Sequence, residues 1–527
     1  MKRLLSNVFT VGAFTALSRV LGLVREMFQS RLIGAGVEQS AFTLAFALPN
    51  MARKLCGEGA LTAAFVPVFK AEAEAVSLRS AERLARAVIT VVTLALGAAV
   101  LLATGGVELA VKFSSALGFD DPERTALTAS LVKTLLPYML FICGAAFGMS
   151  VLNSLGRFKA SSFMPCLLNL VWIGALGALA FFPALSPAER VKFVALAILA
   201  GGALQMAFLF WRMRAAGVTA LPTLHGWFEP KTRLVWKNLS IAALGAGAIQ
   251  INYMLDQFLA QLASPWAAGV IGYAERLMDL PLGIVGVAFG TVLLPTLAGF
   301  FAKNDLEGAR SALSSSVSLM MFVMLPSAAG LFVLAPEVTG VIYQGGDFDA
   351  VATVRVSRAL AVYAVGLGFF GFAKTMVPWF QAQGDMKTPL WVTTGAVVVN
   401  AALNCAAVFL LPVEFRHVGL AASTVFCSAA SCAALVVLAR RKGRGPLGLA
   451  GILPSLAKML VASAAMGGAV CAVRYFAAPH IAVSSETLSR VLALALYVLT
   501  GVVAYAVFSL ALMRGEVRSF LRKRRRG

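Results

Sequence analysis

Long apolar stretches alternate with short polar connections along the whole chain. A membrane-spanning helix takes about 20 mostly apolar residues, and about fourteen stretches reach that length. They lie near 8–34, 39–69, 88–111, 127–154, 162–184, 191–211, 236–263, 267–301, 311–335, 354–382, 389–412, 417–439, 453–474 and 488–513. The longest connection runs from Arg212 to Lys237, too short for a soluble domain. The first stretch follows Met1-Lys2-Arg3 directly and is long and interrupted by arginines, unlike a cleavable signal peptide. The pattern predicts an all-α integral membrane protein with about fourteen transmembrane helices.

Composition agrees. Of 527 residues, 59% are hydrophobic and 13% charged, where a soluble domain runs at about 45–50% and about 25%. A soluble enzyme and a disordered chain are both excluded. Lys+Arg number 45 against 24 Asp+Glu, a net charge of +21. In a soluble protein that excess would point to nucleic acid; here its placement decides. An even number of spans puts both termini on one side. The termini and every second loop hold roughly 27 basic residues, among them Lys70, Arg79, Arg83, Arg157, Lys159, Arg440 and Arg441, and the tail Arg522-Lys523-Arg524-Arg525-Arg526. The opposite loops hold roughly 8, including Lys112, Arg124, Arg190, Lys192, Arg416 and Arg474, together with Asp120-Asp121 and Asp347. The positive-inside bias therefore predicts cytoplasmic termini and no nucleic-acid partner. The seven cysteines lie inside apolar stretches without a CxxC pair and read as packing residues. His225, His417 and His480 are too scattered to suggest a metal site or a catalytic triad.

An internal repeat is visible. Pro67 and Pro295 close the second and eighth stretches and lie 228 residues apart. Leu155-Gly156-Arg157-Phe158-Lys159 follows the fourth stretch and Gln383-Gly384-Asp385-Met386-Lys387 the tenth; Gly156 and Gly384 are again 228 apart. This offset carries the first six stretches onto the next six in the same orientation. The expected domains are an N-terminal six-helix bundle at 1–215, a cytoplasmic linker at 216–235, a second six-helix bundle at 236–445, two extra helices at 446–513, and a basic cytoplasmic tail at 514–527.

Ionisable residues within the membrane are costly and usually line a polar cavity. The first stretch carries Arg19 and Arg25, the second Arg53, Lys54 and Glu58, and the eighth Glu275, Arg276 and Asp279. The second is expected to be interrupted at Leu48-Pro49-Asn50, because proline frees a backbone group. Snorkelling and internal pairs, such as Arg25 with Glu26 or Lys54 with Glu58, are the structural alternative. Four deep arginines with few buried acids imply an anionic ligand, since guanidinium forks match phosphate oxygens. A second polar set is Asp256, near Asn252 and Gln257, with Asn400 and Asn404 at i, i+4. It reads either as oxygen ligation for a small cation or as interhelical hydrogen bonding.

These residues resemble the MurJ (MviN) family. The resemblance rests on Ser18-Arg19-Val20-Leu21-Gly22 with Arg25, Gly34-Ala35-Gly36, Leu48-Pro49-Asn50 with Arg53, Glu58-Gly59-Ala60 and Phe65-Val66-Pro67. Glu275-Arg276-Leu277-Met278, Pro281-Leu282-Gly283 and Leu294-Pro295 extend it. Members are lipid II flippases of the multidrug/oligosaccharidyl-lipid/polysaccharide exporter superfamily, acting in peptidoglycan biosynthesis. The resemblance implies transport, without enzymatic chemistry, of the undecaprenyl-diphosphate-linked precursor from the cytoplasmic to the outer leaflet by alternating access. It implies substrate-binding roles for Arg19, Arg25, Arg53, Arg276, Asn50 and Glu58. It also implies a sodium ion at Asp256, Asn400 and Asn404, although the family has an aspartate at the last position. Many members carry an acid where this chain has Ser40, with Glu38 close by but out of register. The two extra helices are expected to line a groove for the isoprenoid tail. The expected partners are lipid II and membrane lipids, for a monomer in the bacterial cytoplasmic membrane. The alternatives are a flippase for another polyprenyl-linked glycan and a cation-coupled drug exporter of the same superfamily, which should favour acidic cavity residues.

Overall fold

The computed structural model describes residues 2–57, 60–114, 121–219, 221–223, 225–227, 229–441, 447–477 and 486–513. Among these the chain is helical, and its only pairing of extended backbone is a single bridge between Gly345 and Phe348. The helices are α1 (Lys2–Ile33), α2 (Val37–Gly57), α3 (Ala60–Ala75), α4 (Leu78–Lys112), α5 (Pro122–Leu135), α6 (Tyr138–Ser154), α7 (Phe158–Leu179), α8 (Pro187–Arg214) and α9 (Pro230–Ala263). They continue as α10 (Ala267–Ala302), α11 (Leu306–Val333), α12 (Ala335–Tyr343), α13 (Ala350–Gln381), α14 (Lys387–Leu410), α15 (Val413–Arg441), α16 (Leu453–Ala477) and α17 (Glu486–Leu512). Each of the fourteen apolar stretches falls on helix. Among the described residues, 10 spans, counting α5 with α6 as one, are long and apolar enough to cross a membrane.

The repeat is written into the helix ends. Ser77 caps α4 by accepting from Ser80 N, and Asp305 caps α11 by accepting from Gly308 N. Asp121 caps α5 and Asp349 caps α13 through their side chains. Both pairs are 228 residues apart. A helix start leaves backbone N–H groups without intrahelical partners, and these short oxygens satisfy one or two of them. The turn glycines behave alike. Gly156 (φ 72) and Gly384 (φ 75) occupy the left-handed region, where a Cβ is unfavourable. Arg157 N donates to Leu152 O at 2.8 Å, and Asp385 N to Phe380 O at 3.0 Å, the same helix-ending motif in both copies.

One expectation is corrected. Helix α2 does not stop at Leu48-Pro49-Asn50; it runs through Pro49 to Gly57, and α3 starts at Ala60. Proline removes one hydrogen bond, but Ala45, Ala47, Pro49 and Ala52 are buried, and that packing holds the helix together. Further on, Leu136-Pro137 separates α5 from α6 within one apolar stretch.

The chain divides into two compact units: Met1–Gly269 with Gly345–Phe348, and Val270–Gln344 with Asp349–Gly527. In the first, α1 packs on α7, α6 on α8, and α9 on α2 and α3. Phe42 and Phe46 pack edge-on against Trp172, each at 5.7 Å. Lipid tails are as apolar as these side chains, so close packing, more than exclusion from water, holds such helices together. Gly202 of α8 lies so close to the Tyr138 ring that a Cβ would meet it at 2.5 Å. The segment after α8 is strapped to α4: Thr219 N donates to Glu82 at 3.0 Å and Arg86 Nε to Leu221 O at 3.0 Å. The turn 345–348 also belongs to this unit, with Asp347 N donating to Arg31 O at 2.9 Å and Arg190 pairing with Asp347 at 2.8 Å.

In the second unit, α13 packs on α11 and α15, α14 on α15, and α16 on α11 and α17. Tyr505 donates to Phe322 O at 2.9 Å and ties α17 to α11. Leu277, Pro281, Phe322, Pro326, Met466 and Tyr505 are among the lining of an apolar cavity of about 590 Å³ against α16 and α17.

Candidate substrate-binding site

The first unit holds Arg19, Arg25, Asn50 and Arg53. Arg25 is the most enclosed, its side chain 12% exposed. Its Nη1 donates to Asn169 Oδ1 at 3.1 Å and its Nη2 pairs with Glu26. The guanidinium lies 4.2 Å from the centre of the Trp172 ring, a favourable place for a cation over the face of an indole. Asn169 in turn donates to Ser18 O at 3.0 Å, so α7 grips α1 on both sides of one turn. Asn50 accepts from Arg53 Nε at 3.1 Å along α2, and Arg53 is half-buried. Arg19 is exposed. Lys54 lies 4.9 Å from the Tyr253 ring centre. Glu58 lies outside the described residues.

Arg276 belongs to the second unit, on α10, where it is exposed. Its neighbour Glu275 accepts from the Tyr363 hydroxyl at 3.3 Å. Asn169 and Trp172 were not foreseen. An asparagine and a tryptophan inside an apolar stretch look like ordinary packing residues, and nothing local says that they face Arg25, which Asn169 follows by 144 residues.

The second polar set divides. Asp256, in the first unit, accepts from Asn252 Nδ2 at 3.2 Å. Asn400 and Asn404 are buried in the second unit, where Asn404 Nδ2 donates to Asn400 Oδ1 at 3.0 Å. The Ser423 hydroxyl of α15 donates to Asn404 Oδ1, and Asn400 Nδ2 reaches Ser423 Oγ at 3.4 Å. Each of these acceptor groups already serves a hydrogen bond within its own unit. As arranged, the amides join α14 to α15, and no transport step below is routed through sodium. Ser40 uses its hydroxyl to accept from Gly269 N at 3.1 Å, while its carbonyl accepts from Gln261 Nε2 at 2.6 Å.

An all-helical chain with many spanning helices, an internal repeat of the membrane bundle and arginines within its helices belongs to the class of multi-pass membrane transporters. A family model described as lipid II flippase MurJ matches residues 29–492. A probable lipid II flippase MurJ of Rhizobium tropici is 33% identical over 519 residues, covering 98% of this chain and 95% of that protein. Its counterpart in Vibrio cholerae is 32% identical, covering 80% of each. Among solved structures, a lipid II flippase MurJ in an inward closed conformation matches with TM-score 0.76 at 21% identity, over 96% of this chain and 99% of that one. An inward-facing MATE-family multidrug transporter of the MOP superfamily matches at 0.65 and 16% identity, over 84% and 95%. The chain belongs to the lipid II flippase MurJ family.

Proposed function

We propose that this flippase carries lipid II from the cytoplasmic to the outer leaflet of the bacterial cytoplasmic membrane, presenting its binding residues to the two sides in turn. Both termini lie in the cytoplasm, as the loop charges favour, and the chain works as a monomer without covalent chemistry. The diphosphate is taken by the membrane arginines, Arg19, Arg25 and Arg53 of the first unit and Arg276 of the second. Asn50 orients Arg53.

The observation that carries this reading is the setting of Arg25. Asn169, Glu26 and Trp172 hold its guanidinium in one orientation inside an apolar helix pair. An arginine fixed in this way meets a phosphate's oxygens at little further entropic cost. The isoprenoid tail occupies the apolar cavity against α16 and α17, a use that its lining supports.

The test is depletion of a host's own lipid II flippase and replacement by this chain. Lipid II in the outer leaflet should return to the host level. A well-expressed chain that restores none would overturn the assignment.

A further inference from the structure

One basic cluster has no part in the site above and runs against the charge bias of the loops. Helix α13 begins at the end of the second unit that the proposed orientation places outside. Its exposed residues Val351, Val354, Arg358, Val365 and Phe369 follow one stripe at helical spacing. Four of the five are apolar, as a lipid-facing stripe requires, and the fifth is an arginine. Arg358 lies about 12 Å along the helix from Ala350. The helix itself is about 48 Å long against a hydrocarbon core of about 30 Å, so this arginine sits near the depth of the lipid phosphates.

Two more arginines share that corner. Arg358 lies 5.5 Å from the centre of the Phe415 ring on α15. The next residue, Arg416, donates through Nε to Leu411 O at 3.1 Å. His417 Nε2 lies 3.2 Å from the carbonyl of Arg355, which brings the two helices into register there. Glu414 is the acid on the same turn, so three guanidinium groups face one carboxylate. Around them Phe409, Leu410, Val413 and Phe415 are exposed, an apolar surface for acyl chains beside a cationic surface for a headgroup.

We propose that Arg355, Arg358 and Arg416 form a binding site for the phosphate headgroup of an anionic phospholipid of the outer leaflet. Phe415 and its apolar neighbours take up the acyl chains. The site rests on the orientation proposed above but not on the identity of the cargo. Charge complementarity selects the occupant, since each Lys or Arg near an anionic lipid surface contributes on the order of a fivefold preference.

The probes are phosphatidylglycerol and phosphatidylcholine of equal chain length, added to the delipidated full chain and counted by native mass spectrometry. Retention of phosphatidylglycerol should fall about fivefold in Arg358→Gln and about as much in Arg416→Gln. Arg358→Lys should keep most of it, and phosphatidylcholine retention should not change. Equal phosphatidylglycerol retention in the wild type and both glutamine variants would overturn the proposal. So would displacement of phosphatidylglycerol by equimolar undecaprenyl diphosphate, which would assign the cluster to the cargo. A cysteine at Leu411 that an impermeant maleimide reaches only from the cytoplasmic side would remove the outer-leaflet assignment. Because lipid counting involves no flipping, its outcome is independent of the rescue assay.

Discussion

Helices α7 and α14 begin 229 residues apart, at Phe158 and Lys387, and occupy the same place in the two copies of the repeat. Both carry buried asparagines, yet they use them differently. On α7, Asn169 holds the charged guanidinium of Arg25 and the backbone of α1. On α14, Asn400 and Asn404 bond to one another and to the Ser423 hydroxyl of α15. The second arrangement is closed, since neutral donors and acceptors satisfy each other and the helices are locked. In the first, the arginine keeps a net cationic fork whose remaining donors suit an oxyanion. The same backbone slot can therefore serve as a fastener or as a support for binding, depending on whether its partner carries charge.

The largest way to break this contrast is to remove the charge. Arg19→Ala, Arg53→Ala and Arg276→Ala should each lower outer-leaflet lipid II in the rescue assay by about tenfold to a hundredfold, the worth of a hydrogen bond to a charged group. Normal flipping in all three would dispose of diphosphate recognition by these residues. Next in size, Asn169→Leu should lower flipping about tenfold by releasing Arg25. Asn400→Leu should leave flipping within about twofold; equal losses in the two variants would erase the distinction between support and fastener.

The fastener should show itself in stability instead. Asn404→Leu leaves Ser423 and Asn400 short of partners inside the membrane. It should cost about 1–3 kcal/mol, read as a lower Tm of the purified protein. An unchanged Tm would mean that these hydrogen bonds do not hold α14 to α15. The smallest expected effect lies outside the membrane. Hydrogen bonds from Lys231 and from Ser80 hold the Glu72 carboxyl below the usual carboxylate range. A depressed folded-state pKa stabilises the fold above the unfolded value of about 4.3 and is lost as pH falls through the folded value. The wild type should therefore lose thermal stability below about pH 4.3 more steeply than Glu72→Gln. Parallel pH profiles would show that the pair adds nothing.

Much of the fold could be read along the chain. Apolar runs, caps and turn glycines are local features, and a helix needs little more than these to declare its length. The 228-residue offset was legible for the same reason, because Gly156 and Gly384 answer to one backbone requirement. The course of α2 was less legible. Pro49 is a local signal to stop, and only the packing of Ala45, Ala47 and Ala52 overrides it. The arginines stood out because charge inside an apolar run is conspicuous wherever it occurs. Their surroundings did not, since Trp172 reads like any core aromatic until its ring is found beneath Arg25.

Hydropathy and spacing alone settled that this chain crosses a membrane many times, that its bundle is duplicated and that it carries cations within the bilayer. These properties follow from the cost of placing each residue in lipid, which adds up one position at a time. Partnership is a different kind of property. That Arg25 meets Asn169, that Asn404 meets Ser423 and that Arg358 meets Phe415 depends on which helix faces come together. Residues distant along the chain are brought into contact by packing, and no one-dimensional pattern records that choice.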